Sequence, residues 1–303
     1  MQLGMIGLGR MGGNMAKRIT AAGHEVVGFD RSPELDRTVS SLEEMVAALK
    51  TPRLAWVMVP AGEPTDSTIN ELAELLQPGD MIIDGGNSRY TDDARHAAEL
   101  EPKGIHFMDC GVSGGVWGID RGYALMVGGS QGDFESARPI FEALKPEGDS
   151  GLVLAGPVGG GHFAKMVHNG IEYGMMQAMA EGFALFASAR NEVVAEDYRY
   201  DLDLAAIAEV WRRGSVVSSW LLDLGADALA ANPSLDLYSA EVAESGEGRW
   251  TVEAAIDQRT SAQVLAAALF ARFASRDADQ LGNRFLSALR NKFGGHPSLS
   301  TKG

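Results

Sequence analysis

The chain has 303 residues, of which 45% are hydrophobic; that length is at the upper limit of a single core and predicts two folded domains rather than a disordered chain. A formal net charge of −15 repels nucleic acid and anionic lipid, so neither is an expected partner. One cysteine, Cys110, excludes an intrachain disulfide and fits a reducing compartment as a small buried residue, and no His/Cys spacing matches a metal site.

The opening MQLGMIGLGR lacks a basic n-region followed by a long apolar run, and no apolar stretch is long enough to span a bilayer, so a cytoplasmic location is expected. From there strands and helices alternate. Residues 2–7 read as a strand, 11–23 as a helix, 25–30 as a strand, 42–50 as a helix and 53–60 as a buried strand closed by proline. A helix at 65–76, a strand at 81–86, a helix at 88–100 and a strand at 105–111 follow. This alternation predicts a parallel sheet covered by helices on both faces. Residues 123–129 and 150–156 read as a hairpin-like pair extending that sheet.

The composition changes at PVGGGH (157–162), a glycine-rich hinge. Beyond it, 163–189 reads as one long helix, apolar enough to be buried on most sides, with Met175, Met176 and Met179 as core filler. Further helices are predicted at 203–212, 216–231, 250–258, 261–275 and 278–290. The fold class is therefore α/β: an N-terminal doubly wound Rossmann-type domain (1–158), then an all-α domain (159–303) serving substrate binding and oligomerisation and ending in a tail.

The run Gly7-Leu8-Gly9-Arg10-Met11-Gly12 follows a strand and opens a helix, the context in which a GxGxxG motif binds a dinucleotide. Gly7 permits the tight turn, Gly9 lets the backbone approach a pyrophosphate, and Gly12 lets the helix pack on its strand. The second strand ends at Asp30, placed to bond ribose hydroxyls and repel a 2′-phosphate, which favours NAD; helix capping is its other reading. Arg31 and Ser32 beside it leave weaker use of NADP open.

Lys165, His168, Asn169, Glu172 and Tyr173 fall at i, i+3, i+4, i+7 and i+8, one face of a helix otherwise made of Ala, Met, Phe, Ile and Gly. A polar stripe there is costly unless it is solvated, paired or used; a surface Lys–Glu pair is the plain reading. The chemistry of alcohol oxidation uses the whole set. Lys165, its pKa lowered by desolvation, takes the hydroxyl proton, and Asn169 holds the oxygen. Oxidation of a 3-hydroxy acid gives a 3-keto acid that loses CO2 readily and needs no metal if the protonated lysine stabilises the oxygen charge. Glu172 is placed to protonate the enediol carbon, a role that would call for a pKa raised by burial. Asp84-Gly85-Gly86-Asn87-Ser88 and Asp109-Cys110-Gly111-Val112-Ser113-Gly114-Gly115 follow strand ends, where open α/β sheets bind ligands. Asn87 is the expected substrate contact, and the second loop's glycines expose N–H groups suited to a carboxylate.

Taken together, GLGRMG (7–12), DGGNS (84–88), GVSGG (111–115) and KMVHNGIEY (165–173) resemble the 6-phosphogluconate dehydrogenase family, within the wider 3-hydroxy acid dehydrogenases, over nearly the whole chain. The resemblance implies Lys165 as general base and Glu172 as general acid. It implies Asn87, Ser113, Gly114, Gly115, His168, Asn169 and Tyr173 as substrate-site residues, and Asn87 as a cofactor contact beside Gly7 to Gly12, Asp30 and Arg31. It places Arg272 at a phosphate-binding arginine, and Arg290 and His296 in a tail motif reaching a neighbouring subunit's site. The implied reaction is oxidative decarboxylation of 6-phosphogluconate to ribulose 5-phosphate in the pentose phosphate pathway, by a homodimer or homotetramer. The implied ligand is a small anionic sugar phosphate. Two departures stand out: Ser245 and Glu247 occupy the positions of a lysine and a threonine that bind phosphate in long members, although Arg249 is near, and Asp30 replaces the asparagine of NADP users. Both resemble the short, NAD-preferring branch. Another 3-hydroxy acid dehydrogenase, of the 3-hydroxyisobutyrate or tartronate semialdehyde type, would share the fingerprint and the lysine but would not need Glu172, Arg272 and Arg290 to His296 together. A nucleotide sensor without turnover would not need the Lys–Asn–Glu stripe.

Overall fold

The structure, a computed structural model, describes residues 1–277 and 281–294, and the chain divides into two compact units, Met1–Gly170 and Ile171–Gly303.

The first unit runs β1 (Gln2–Ile6), α1 (Arg10–Ala21), β2 (Glu25–Phe29), α2 (Leu42–Ala48), β3 (Leu54–Val57), α3 (Glu63–Leu75), β4 (Met81–Asp84), α4 (Tyr90–Leu100), β5 (His106–Ser113), α5 (Gly118–Arg121), β6 (Ala124–Gly128), α6 (Gln131–Leu144) and β7 (Leu152–Gly156), then enters α7 (Gly160–Ser188). The seven strands form one sheet ordered β2-β1-β3-β4-β5-β6-β7. β1 to β5 pair in parallel, and their order reverses between β1 and β3, the switch point at which such sheets bind ligands beyond their carboxyl ends.

The period-2 alternation of strand side chains splits the apolar residues between two cores. Leu3, Met5, Leu54, Trp56 and Ile83 face one way, against Met15 and Ile19 of α1 and Phe134, Ile140 and Phe141 of α6. Ile6, Ala55, Val57 and Ile82 face the other, against Met45 of α2, Ile69 and Leu72 of α3 and Leu100 of α4. Burial of each of the larger side chains contributes about 1.5–3 kcal/mol. Local signals set the helix starts: Ser41 accepts the Glu44 N–H while the Glu44 carboxylate accepts the Ser40 N–H, and Ser130 accepts from the Asp133 N–H.

The strands at 123–129 and 150–156 do not form a hairpin. β6 is antiparallel to β5, whereas β6 and β7 are parallel. A parallel pair requires a crossover, and α6 supplies it. The helix was obscured by Pro139 inside it, yet Phe134, Ala137, Ile140, Phe141 and Leu144 give it one buried face. β5 also extends through Ser113, so Asp109 to Ser113 belong to the strand and the turn begins only at Gly114 and Gly115.

The second unit contains the remainder of α7, then α8 (Leu204–Gly214), α9 (Trp220–Ala231), α10 (Glu247–Asp257), α11 (Gln263–Ser275) and α12 (Leu281–Gly294), with no strand among the described residues. α9 starts at Trp220 rather than 216 because Ser219 caps it, accepting the Leu222 N–H. α8 and α9 meet through Ala208, Ala226 and Leu229, with Phe183 of α7 against them. Tyr173, Ala268 and Leu269 form another small cluster, with Val252 and Phe273 packed on it. Among the described residues, no helix is long and apolar enough to cross a membrane.

One expectation for α7 needs correction. Its apolar side chains are not buried on most sides in the single chain: Ile171, Met175, Met176 and Leu185 are exposed, so Met175 and Met176 are not core filler. The first compact unit runs to Gly170, past the composition change at 157–162. The first turns of α7 belong to the sheet unit, because Asp109 of β5 accepts the backbone N–H groups of Gly159 (2.6 Å) and His162 (2.7 Å). A Cβ on Gly161 would overlap the Met126 carbonyl oxygen, so glycine there allows the close approach.

Candidate active site

The glycine turn after β1 is built as its motif requires. Gly7 has φ +91° and its N–H donates to the Phe29 carbonyl at 2.9 Å; a Cβ there would overlap the Met58 carbonyl oxygen. A Cβ on Gly12 would overlap the Gly7 carbonyl, whereas one on Gly9 would meet nothing within 4 Å. α1 has no side-chain cap and no acid in its first turn, so its leading N–H groups remain available to an anion. These features fit a dinucleotide pyrophosphate. Leu8 and Met11 can take part only through their backbone, since their side chains pack in the core, while Arg10 is exposed.

Asp30 follows β2 and is half-buried. One carboxylate oxygen accepts the Leu8 N–H at 2.7 Å and the other the Ser32 N–H at 2.8 Å. Sequence reasoning weighed a ribose contact against a cap; the carboxylate also shapes the glycine turn itself. Arg31 is exposed and donates to the Ser67 hydroxyl at 3.3 Å.

Lys165 and Asn87 meet in the first unit, with Lys165 Nζ 3.3 Å from Asn87 Oδ1. Asn87 lies just past the carboxyl end of β4, in a turn held by Asp84, whose carboxylate accepts the Gly86 N–H at 2.9 Å. A Cβ on Gly111 would overlap the Lys165 Cβ, so glycine at that β5 position lets the lysine stem lie on the sheet. Ser113 ends β5 and is half-buried; Gly114 (φ +139°) and Gly115 (φ +55°) adopt conformations that other residues rarely reach. One turn beyond Lys165, exposed His168 and half-buried Asn169 lie with Nδ1 2.9 Å from Oδ1, a hydrogen bond that needs the Nδ1–H tautomer.

Sequence reasoning missed the buried charges beneath this site. His162 Nδ1 is 2.8 Å from Asp93 Oδ2, and both side chains are buried. Burial pushes the Asp93 carboxyl up, with the Asp109 and Asp84 charges adding to the rise against the pull of His162. Burial pulls the His162 imidazole down, but the Asp93, Asp84 and Asp109 carboxylates outweigh it, and the net shift is upward. Both shifts are upward, so the buried cluster retains protons more readily than the separate groups would. The available signals were Asp93 on the inner face of α4, alongside His96 and Leu100, and a lone histidine ending the glycine-rich run.

In the second unit, Tyr173 is buried and half-buried Arg272 stacks over its ring, with the guanidinium carbon 3.5 Å from the centroid. Arg272 also donates to the Ala243 carbonyl at 2.7 Å, and the Tyr173 hydroxyl accepts the Ser245 N–H at 3.3 Å. A Cβ on Gly248 would overlap the Tyr173 ring, so that glycine seats the ring against α10. Arg249 is paired with Glu244, whose carboxylate also accepts the Gly246 N–H at 2.7 Å; an acid thus already occupies the start of α10. Ser245 is exposed and Glu247 buried. Glu172 is half-buried on α7, Arg290 is exposed on α12, and His296 lies outside the described residues.

Two family profiles match the chain: the NAD binding domain of 6-phosphogluconate dehydrogenase over residues 2–147, and the 6-phosphogluconate dehydrogenase C-terminal domain over 161–292. An NAD(+)-dependent, decarboxylating 6-phosphogluconate dehydrogenase of Haloferax volcanii is 40% identical over 98% of both chains. An NADP(+)-dependent, decarboxylating enzyme of Bacillus subtilis is 36% identical over 90% of this chain and 61% of its own greater length. The solved 6-phosphogluconate dehydrogenase of Plasmodium falciparum superposes with a TM-score of 0.80 at 27% identity, covering all of this chain and 67% of that one. With a dinucleotide-type turn at the sheet's switch point, a lysine and an asparagine at its carboxyl edge, and both halves of the chain matched, the protein belongs to the 6-phosphogluconate dehydrogenase family.

Proposed function

We propose that the chain oxidises and decarboxylates 6-phosphogluconate to ribulose 5-phosphate and CO2, with NAD as the preferred acceptor. The observation that carries this reading is the Lys165–Asn87 pair at the carboxyl end of β4, where a lysine has a polar partner and its stem is packed on glycine. Lys165 takes the proton of the substrate's 3-hydroxyl, while Asn87 and Asn169 hold the oxygen. Ser113, Gly114 and Gly115 receive the carboxylate end, and His168 and Tyr173 line the sugar chain. After CO2 leaves, protonated Lys165 stabilises the enediol oxygen and Glu172 delivers a proton to carbon. Bound at Gly7 to Gly12, nicotinamide dinucleotide supplies the hydride acceptor. Arg272 is the cation for the phosphate; Arg249 would first have to leave Glu244. Assembly of two or four subunits belongs to the same reading, supported by apolar side chains left uncovered in the single chain, among them Val264, Phe270, Phe285 and Leu286.

The deciding experiment supplies 6-phosphogluconate and NAD to the purified protein and follows NADH and CO2 together. Equal yields are expected. NADH formed without CO2, or faster turnover of an unphosphorylated 3-hydroxy acid, would move the protein to another branch of the 3-hydroxy acid dehydrogenases.

Asp30 carries the cofactor preference in this reading. Its negative charge disfavours a 2′-phosphate, so kcat/KM should be higher with NAD than with NADP. Asp30→Asn keeps an acceptor for the Leu8 N–H while removing the charge, and should narrow the ratio about tenfold. Asp30→Ala narrows it as well, but should lower kcat/KM with both cofactors, because the glycine turn loses its hydrogen bonds. A wild-type preference for NADP would refute the assignment.

A further inference from the structure

Four ionisable side chains lie buried beneath the Lys165–Asn87 pair, and the chemistry above uses none of them: Asp84, Asp93, Asp109 and His162. Their bonds sort by what each one holds. Asp84 fixes the turn that carries Asn87. Asp109 fixes the start of α7, which carries Lys165, through the N–H groups of Gly159 and His162. His162 then reaches from α7 to Asp93 on α4, the helix that follows the Asn87 turn. The segment bearing the lysine and the segment bearing its partner are therefore tied twice, once through half-buried Lys165 and Asn87 and once through fully buried His162 and Asp93.

We propose that His162 and Asp93 are a positioning pair for the reaction, setting the distance between Lys165 and Asn87. A buried ion pair is a poor source of stability, because the desolvation of its charges offsets most of its attraction, and an apolar pair of similar volume often does as well. A charged hydrogen bond does supply direction and a narrow range of length, which packing alone does not. Lys165 lies three residues beyond His162, just under one helical turn, so a rotation or slide of the first turn of α7 moves the amine directly. The Asp93, Asp84 and Asp109 carboxylates together raise the affinity of the imidazole for its proton, and the 2.8 Å hydrogen bond to Asp93 is the direct link.

The trio of Asp84, Asp93 and His162 also offers donor atoms within 4.8 Å of one another, a spacing that a metal ion would accept. The direct 2.8 Å bond between His162 and Asp93 already occupies one donor of each and favours the ion pair.

The proposal rests on Lys165 being the base, so Lys165→Met is measured beside it. His162→Leu keeps the volume and removes the link. His162→Asn keeps a donor where Nδ1 stood, and His162→Gln moves the donor to the Nε2 position. With 6-phosphogluconate and NAD, His162→Leu and His162→Gln should lose about ten- to a hundredfold in kcat, the effect of a displacement near 1 Å at the reacting group. NAD affinity should stay within about twofold, and His162→Asn should recover most of the rate. The acid limb of the kcat/KM profile should also move to higher pH in the impaired variants, because a displaced Lys165 is better solvated and returns toward its ordinary pKa. A merely structural role would lower the melting temperature and the active fraction without moving that limb. An inactive Lys165→Met beside a fully active His162→Gln with an unmoved limb overturns the positioning role alone. An active Lys165→Met overturns the base assignment instead. Loss of activity on dialysis against a chelator, restored by a divalent metal, would overturn the ion-pair reading. Should His162→Leu not fold, the comparison of His162→Gln with His162→Asn carries the test.

Discussion

Lys165→Met should turn over 6-phosphogluconate at less than about one hundredth of the wild-type rate while binding NAD normally, because general-base removal costs two to four orders of magnitude. Methionine keeps the length and the apolar stem, so the packing on Gly111 survives and only the amine is lost. The nucleotide turn at Gly7 to Gly12 contains no part of α7, so NAD affinity, read by fluorescence titration, serves as the control for folding. The pH dependence gives a second reading. A lysine in water titrates near about 10.4 and is a poor base at neutral pH. The wild-type kcat/KM should therefore rise through an apparent pKa well below that value, and the residual activity of the variant should lack this limb. Near-normal turnover of Lys165→Met at neutral pH would transfer the base role elsewhere, and the positioning pair would lose its purpose with it.

Much of this arrangement was legible from residue spacing alone. The unbroken apolar runs LAWV of β3 and MII of β4 mark strands covered on both faces, and the GLGRMG turn falls where the sheet order reverses. Asn87 and Lys165 were picked out by chemistry and do meet. What escaped notice has physical reasons. α6 was hidden because a proline inside a helix reads as a break, although its buried face shows the right period. The direction of β6 depends on long-range pairing that no local pattern encodes. The apolar run of α7 reads as a buried helix, but hydrophobicity alone does not say whether the cover comes from the same chain, and Leu185 is 71% exposed here.

The buried quartet was missed for another reason. Asp93 and His162 are 69 residues apart, and neither sits in a recognisable motif. Only the fold reveals that one helix face and one glycine-rich helix start point at the same place. The same holds for Gly111 and Gly248, which read as loop or helix glycines. Their function, making room for the Lys165 stem and the Tyr173 ring, appears only when a Cβ is placed on each.

Glu172→Gln should separate the two halves of the proposed reaction. Lys165 takes a proton from oxygen in the proposed reaction, and the step after CO2 loss needs a proton delivered to carbon, the separate task given to Glu172. Glutamine keeps the size and the hydrogen bonding of the side chain but has no proton to deliver. Oxidation depends on Lys165 and should proceed in the variant. Protonation of the enediol carbon should then limit turnover, and steady-state kcat should fall by about two orders of magnitude with little change in KM. A single-turnover experiment shows where the loss lies. NADH should appear at close to the wild-type rate, while ribulose 5-phosphate appears late. In deuterium oxide the wild-type enzyme should place one deuterium on the new carbon–hydrogen bond with a single stereochemistry. In the variant, where solvent supplies that proton, the stereochemistry should be partly lost. A change confined to KM, with the product step as fast as before, would mean that Glu172 only positions the substrate, and the proton donor would have to be sought among the other residues facing it.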